Sequence, residues 1–383
     1  MSRRARTTFT VAFALLAPPA LAFSAVSDAS ALPPIKIAVE APLTGSQSST
    51  GLDMLRGVQL AVREANAGKG VLGRRVKIVK GDDKGDRANA KRVARRVIKE
   101  NIAAVIGPYN SSVGIVNLPI YLRNRVVPVH LTSSDDTRGE GITIQPKNSQ
   151  IAPIEDAYVR STGAKKVTML VDDTPNGAFT VGMADRLQKR LAAGGIAVSR
   201  ISIKELADKV AAGYYASKVA EALATRPDLL YVSTYFPEGV EIAKALAAAG
   251  TAPRCLMGLA NVDPGFISGA GLMPSQRCVF SGVPAAPQLP SAKRFVRLYR
   301  KAFKREPGVW GVFTYDSARI LFGAIETAGG TGFARLQRRL KHTKGYRGQT
   351  GTITIDPATG YRVKLPFLNI LSVDSTKDFV IAP

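Results

Sequence analysis

Four serine hydroxyls carry most of the chemistry this sequence offers. Ser111 and Ser112 sit between the apolar run "IAAVIGPYN" and the helix-like "VGIVNLPIYLRN", and Ser133 and Ser134 follow "VVPVHLT". A serine at a helix start presents its hydroxyl beside backbone N–H groups that no helical carbonyl takes up, and the aligned peptide dipoles favour negative charge there. One such serine alone is an ordinary helix cap. Two pairs at the ends of neighbouring strands form a cradle for a small anion or zwitterion.

Catalysis has much less material. The chain holds two histidines, His130 and His342, too few for a histidine-based triad or metal cluster, and neither a G-x-S-x-G elbow nor a P-loop occurs. The paired carboxylates Asp82/Asp83, Asp135/Asp136 and Asp172/Asp173 lie at strand ends, where adjacent acids cap helices and solvate turns. Gly68, Gly70 and Gly73 spell G-x-G-x-x-G, but they follow the helical "GLDMLRGVQLAVREAN" and precede the strand-like "RRVKIVKGDD". A dinucleotide loop needs the reverse order, so these glycines end a helix. No enzyme activity, cofactor or metal is expected.

The elements that must position the serines alternate. From residue 35, short apolar runs such as "IKIAVEA", "RRVKIVK", "KKVTMLVDD" and "LLYVSTYF" are separated by helical segments, which is βαβ wiring with parallel sheets covered on both faces. With 383 residues and two series of strands, the reading is α/β, two Rossmann-like lobes. In such sheets ligands gather at the carboxyl ends of the strands. Thr50, Tyr109, Ser112, Ser133 and Ser134 in the first series, and Asn176, Tyr235 and Asn261 in the second, occupy those ends and are the candidate ligand-binding residues.

Residues 1–31 combine Arg3, Arg4 and Arg6 with an apolar run broken by Pro18 and Pro19 and small-residue cleavage choices, the pattern of a secretory signal peptide. Export places the mature protein in an oxidising compartment, where Cys255 and Cys278 can bond if their apolar runs are neighbouring parallel strands. The net charge of +24 would suggest nucleic acid in a cytoplasmic protein, but the export signal and the dispersal of basic residues over helix faces argue against it. Solvated faces are the plain reading. Attraction of anionic solutes or membrane is the sharper one.

The blocks "IKIAVEAPLTG", "RGVQLAVREANAGKGVLGRRVKIVKGDD", "VIGPYNSS", "KKVTMLVDD" and "FTYDSARILFGAIETAGG" resemble the periplasmic solute-binding proteins of the branched-chain amino-acid class of ABC transporters. The resemblance implies the type I periplasmic binding fold with a three-segment hinge: lobe 1 from 32–148 plus 284–347, lobe 2 from 149–283 plus 348–383. It implies a monomer in the periplasm that closes on a small solute and delivers it to the ABC transporter membrane subunits. Ser112 and Ser133–Ser134 would hold the ligand carboxylate, and Tyr235 would form an aromatic wall. "GYRGQTGTITIDPATG" reads as a hairpin joining the second lobe.

Two positions depart from the family pattern. Asn176 stands where a tyrosine is frequent, and Ala260–Asn261 where an acidic anchor for an α-ammonium group is expected. An unpaired buried ammonium is costly, so either Asp263 or Glu238 takes over, or the ligand is a carboxylate or amide without the amine. A sensor module that presents solute to a membrane receptor is the alternative function. A secreted hydrolase lacks the nucleophile machinery.

Overall fold

The computed structural model describes residues 32–205, 210–250 and 253–382; the expected signal peptide lies outside them. The first series runs β1 (Ile35–Ala41), α1 (Ser48–Ala67), β2 (Val76–Asp82), α2 (Arg87–Ile98), β3 (Ala104–Ile106), α3 (Ser111–Arg123) and β4 (Val127–Val129). These strands form a parallel sheet in the order β2-β1-β3-β4. Strand side chains alternate faces, and the burial follows suit. Ile37, Val39 and Ile106 belong to one core, while Ala38 and Val105 pack with Val93, Val97 and Tyr121 of α2 and α3 on the other.

The second series runs α4 (Asn148–Ser161), β5 (Lys166–Asp172), α5 (Ala178–Ala193), β6 (Ala197–Ile203), α6 (Tyr214–Ala224), β7 (Leu229–Ser233), α7 (Phe236–Ala248), β8 (Arg254–Met257), α8 (Pro264–Ala270), α9 (Leu272–Gln276) and β9 (Val279–Gly282). The chain then forms α10 (Lys293–Phe303), α11 (Trp310–Ala328), α12 (Phe333–Lys341), the hairpin β10 (Tyr346–Gly348) and β11 (Gly351–Ile353), β12 (Asn369–Val373) and β13 (Phe379–Ile381). The second sheet has the order β13-β12-β9-β8-β7-β5-β6, parallel except for β12, which runs antiparallel to both its neighbours, β9 and β13. The expected α/β architecture with two lobes is what the chain adopts.

Helices α10–α12 return to the first lobe, where α11 packs along α1. Asp53 on α1 secures that return. Its buried carboxylate accepts N–H bonds from Gly308 (3.1 Å) and Gly311 (2.6 Å) and the Tyr299 hydroxyl (2.9 Å). The two helices approach so closely that a Cβ on Gly57 would lie 2.0 Å from the Gly311 carbonyl. Cys255 at β8 and Cys278 before β9 form a disulfide.

The hairpin differs from expectation. β10 and β11 form a sheet of their own, and the turn is held by Asp316 of α11, which accepts from Gln349 N, Thr350 N and the Thr350 hydroxyl. That buried carboxylate needs several donors, and the hairpin turn supplies them. Only β12 and β13 join the second sheet.

Beneath the second sheet, Glu155 of α4 accepts from Ser281 (2.6 Å) and Tyr231 (3.0 Å) and is fully buried. Burial pushes its carboxyl up to about 7 against the pull of those two donors. A carboxyl whose pKa is higher folded than unfolded stabilises fully below its unfolded value and loses that contribution as pH rises through the folded one. Glu155→Gln should therefore flatten the fall in thermal midpoint between pH 4.5 and about 7, followed by circular dichroism; parallel curves for variant and parent would contradict this. Gly57→Ala should cost about 1–3 kcal/mol in urea unfolding through overpacking against α11. Gly323→Ala, on the same helix pair but with nothing within 4 Å of its Cβ, should instead gain about 0.5–1 kcal/mol.

Candidate functional site

Between the two lobes lies a narrow cavity walled by residues from the strand ends of both sheets. The first lobe contributes Tyr109 after β3, Leu131 and Ser133 after β4, Gln145 from the passage between lobes, Ser111 at the start of α3, and Trp310 at the start of α11. The second contributes Phe179 from α5, Tyr235 before α7, and Leu259 and Ala260 from the turn after β8. The open space is only about 10 Å³, about enough for one water, so the two lobes lie closed on each other here.

Four aromatic rings make the apolar wall. Tyr109 meets Trp310 at 5.6 Å and Tyr235 at 6.3 Å between centroids, and Tyr235 meets Phe179 at 6.0 Å. Burial holds the Tyr109 and Tyr235 phenols above their ordinary range, so both stay protonated. The Tyr235 oxygen is set against the Asn110 side chain and the Ser111 N–H, a first-turn group of α3. Second-lobe tyrosine thus occupies part of the anion-favouring helix start.

The polar part of the wall is ordered by a chain of hydrogen bonds. Ser111 Oγ accepts from Ser133 N (3.2 Å) and Ser134 N (3.1 Å). Ser133 Oγ donates to the Pro146 carbonyl (2.7 Å) and receives Gln145 Nε2 (2.7 Å). Behind this loop the fully buried Lys147 ammonium donates to the carbonyls of Thr132 (3.0 Å) and Ser134 (2.5 Å) and to Thr137 Oγ1 (2.8 Å). Burial lowers Lys147 to about 7, with Asp135 and Asp136 pulling the other way. Through the Thr132 carbonyl the lysine holds the peptide whose N–H, that of Ser133, bonds Ser111.

The structure separates the expected serines. Ser111 and Ser133 line the cavity, while Ser112 Oγ is buried without a hydrogen-bond partner and is not part of the wall. Successive residues of a helix point about 100° apart, so only one of the pair can face inward. Ser134 caps the short turn Asp135–Thr137, its hydroxyl donating to Asp136 Oδ2 (3.0 Å) and accepting from Asp136 N (3.3 Å).

Tyr109 and Tyr235 are in the wall; Thr50, Asn176 and Asn261 are not. Thr50 donates to Asp263 (2.5 Å), alongside Ser49 (2.9 Å), so α1 of the first lobe is joined to the start of α8 in the second. Asn176 accepts from Arg87 N (2.8 Å) and donates to Glu205 (3.1 Å), a second link between lobes. Asn261 donates to the carbonyls of Thr234 (3.0 Å) and Gly258 (3.3 Å), tying the ends of β7 and β8 together.

Among the described residues, no charged side chain belongs to the cavity wall. Asp263, considered as an ammonium anchor, has its carboxylate taken up by Ser49, Thr50 and Gly265 N. Glu238 is buried in the first turn of α7, outside the wall. Sequence reasoning missed Gln145, Phe179 and Trp310 as contributors. The one signal available was that Trp310 is the chain's single tryptophan, placed at a helix start.

A family model described as "Periplasmic binding protein" matches residues 34–365. Leu/Ile/Val-binding protein homolog 2 of Brucella abortus is 27% identical over 345 residues, covering 84% of this chain and 86% of that protein. The leucine-binding protein LivK of Thermotoga maritima superposes with a TM-score of 0.80 at 25% identity, over 91% of this chain and 99% of the other. A solute-binding protein of an ABC transporter from Rhodopseudomonas palustris, solved with 3,4-dihydroxybenzoic acid, has a TM-score of 0.77 at 22% identity over 91% of this chain and 95% of the other, and shares the fold. These relatives are binding proteins, in keeping with a cavity whose groups can hold a solute but have no nucleophile–base pair. With a two-lobed fold, a cavity walled by both lobes and a family match over nearly all of its described length, the chain belongs to the periplasmic binding protein family.

Proposed function

We propose that this protein is exported through residues 1–31, captures a small organic solute without an α-ammonium group between its lobes, and delivers it as a monomer to the membrane subunits of an ABC transporter. The lobes are taken as 32–148 with 284–347 and 149–283 with 348–383, so that three chain passages form the hinge. Such a hinge bends more readily than it shears. One observation carries the ligand class: among the described residues, four aromatic rings and three neutral polar side chains wall the cavity, and no carboxylate does. An ammonium sealed there would cost on the order of 3 kcal/mol, about a hundredfold in affinity. The candidate partner Asp263 is occupied in joining the lobes.

The test compares leucine and phenylalanine with isocaproate, hydrocinnamate and hydrocinnamamide by isothermal titration and small-angle scattering. At least one compound lacking the amine should bind about a hundredfold more tightly than its amino-acid counterpart and compact the protein. Tighter binding of the amino acids would overturn the ligand class. No binding and no compaction with any compound would overturn solute capture itself.

A further inference from the structure

We propose that Ser111 and Gln145 act as a donor–acceptor pair that selects a ligand bearing a neutral hydroxyl or carboxamide and disfavours a bare carboxylate at that end of the cavity. The inference rests on solute capture as proposed above and narrows its ligand.

The argument is a count of donors and acceptors. A hydroxyl has one proton to give and two lone pairs. Ser111 Oγ already accepts two N–H bonds, from Ser133 and Ser134, so its proton is what remains to offer. The orientation of Gln145 follows from its neighbour. The Pro146 carbonyl can only accept, so Ser133 must donate to it, and the group that Ser133 then accepts from must be the Gln145 amide nitrogen. This places Nε2 on Ser133 and leaves Oε1 as the free end.

Gln145 is 2% exposed, lines the cavity, and its Oε1 has no hydrogen-bond partner. A buried acceptor left unpaired is expensive, and a ligand donor that meets it recovers that cost. Both groups are anchored on one residue, Ser133, through its backbone N–H and its hydroxyl. A ligand group serving both therefore needs an acceptor and a donor on the same or adjacent atoms. Hydroxyl and primary amide groups meet this; a carboxylate, which only accepts, would face the Gln145 oxygen with like polarity.

The experiment uses the whole mature protein at neutral pH, with hydrocinnamamide and hydrocinnamate as near-isosteric probes in isothermal titration. The parent should bind the amide about tenfold or more tightly than the carboxylate. Gln145→Met, which removes the acceptor, should bring the two within about threefold, while Gln145→Glu, which keeps an acceptor and adds negative charge, should widen the gap. The opposite signs separate recognition from general damage, and thermal midpoints identify a variant that has failed to fold, in which case the other decides. A parent that prefers the carboxylate while still compacting sinks this proposal and leaves solute capture standing. An unchanged preference in a folded Gln145→Met also sinks it, whereas a parent that neither binds nor compacts removes both.

Discussion

The Ser111 hydroxyl accepts two backbone N–H bonds at once, from Ser133 and Ser134, and this ties the start of α3 to the loop after β4. The walls on the first-lobe side depend on that tie. It turns Ser111 and Ser133 toward the cavity, sets Ser112 inside the protein, and places Ser134 where it caps its own short turn. Lys147 braces the arrangement from behind through the Thr132 and Ser134 carbonyls. A charge on Lys147 polarises the Thr132–Ser133 peptide, which strengthens the bond from Ser133 N to Ser111 Oγ. The lysine is thus a structural support and not a ligand for the solute.

A strongly basic chain has built an uncharged cavity. Its ionisable groups are placed either outside, on wet helix faces such as that of α12, or in the interior as fasteners between elements. Asp53 fastens the return of α10 and α11 to α1, Asp316 fastens the hairpin turn, and Asp263 fastens the lobes to each other. In each case the carboxylate is surrounded by N–H and O–H donors, which is the condition for burying an acid without an ionic partner. The interior of the cavity is left to aromatic rings and neutral amide and hydroxyl groups.

Much of the scaffold could be read from residue pattern, because parallel strands and covering helices have distinct periods and the Gly68–Gly73 turn has a fixed place between them. The strand ends that supply Tyr109, Ser133 and Tyr235 followed from the wiring alone. What could not be read is rotation and distance. Ser111 and Ser112 are adjacent in sequence, and only the helix phase decides which faces inward. Trp310 reaches the cavity from a helix that follows β9 by a long passage, and Gln145 lies in irregular chain between lobes, so neither sits on a strand end. The strand-end rule puts Thr50, Asn176 and Asn261 in the right neighbourhood, but their side chains join elements around the cavity and are not in its wall. The hairpin β10–β11 forms a sheet of its own because its turn meets the buried Asp316 carboxylate of α11, a contact between distant segments that residue pattern does not reveal.

Neither lobe is one continuous stretch of chain. The first sheet is covered by α11, Trp310–Ala328, and the second is completed by β12 and β13, which end at Ile381. A nascent polypeptide therefore leaves the apolar face of α1 without its partner helix until α11 is made, and β9 without its antiparallel neighbour until β12 is made. Each half waits on segments made long after its first strand. The discontinuous wiring that carries the chain back and forth between the halves thus also times their folding.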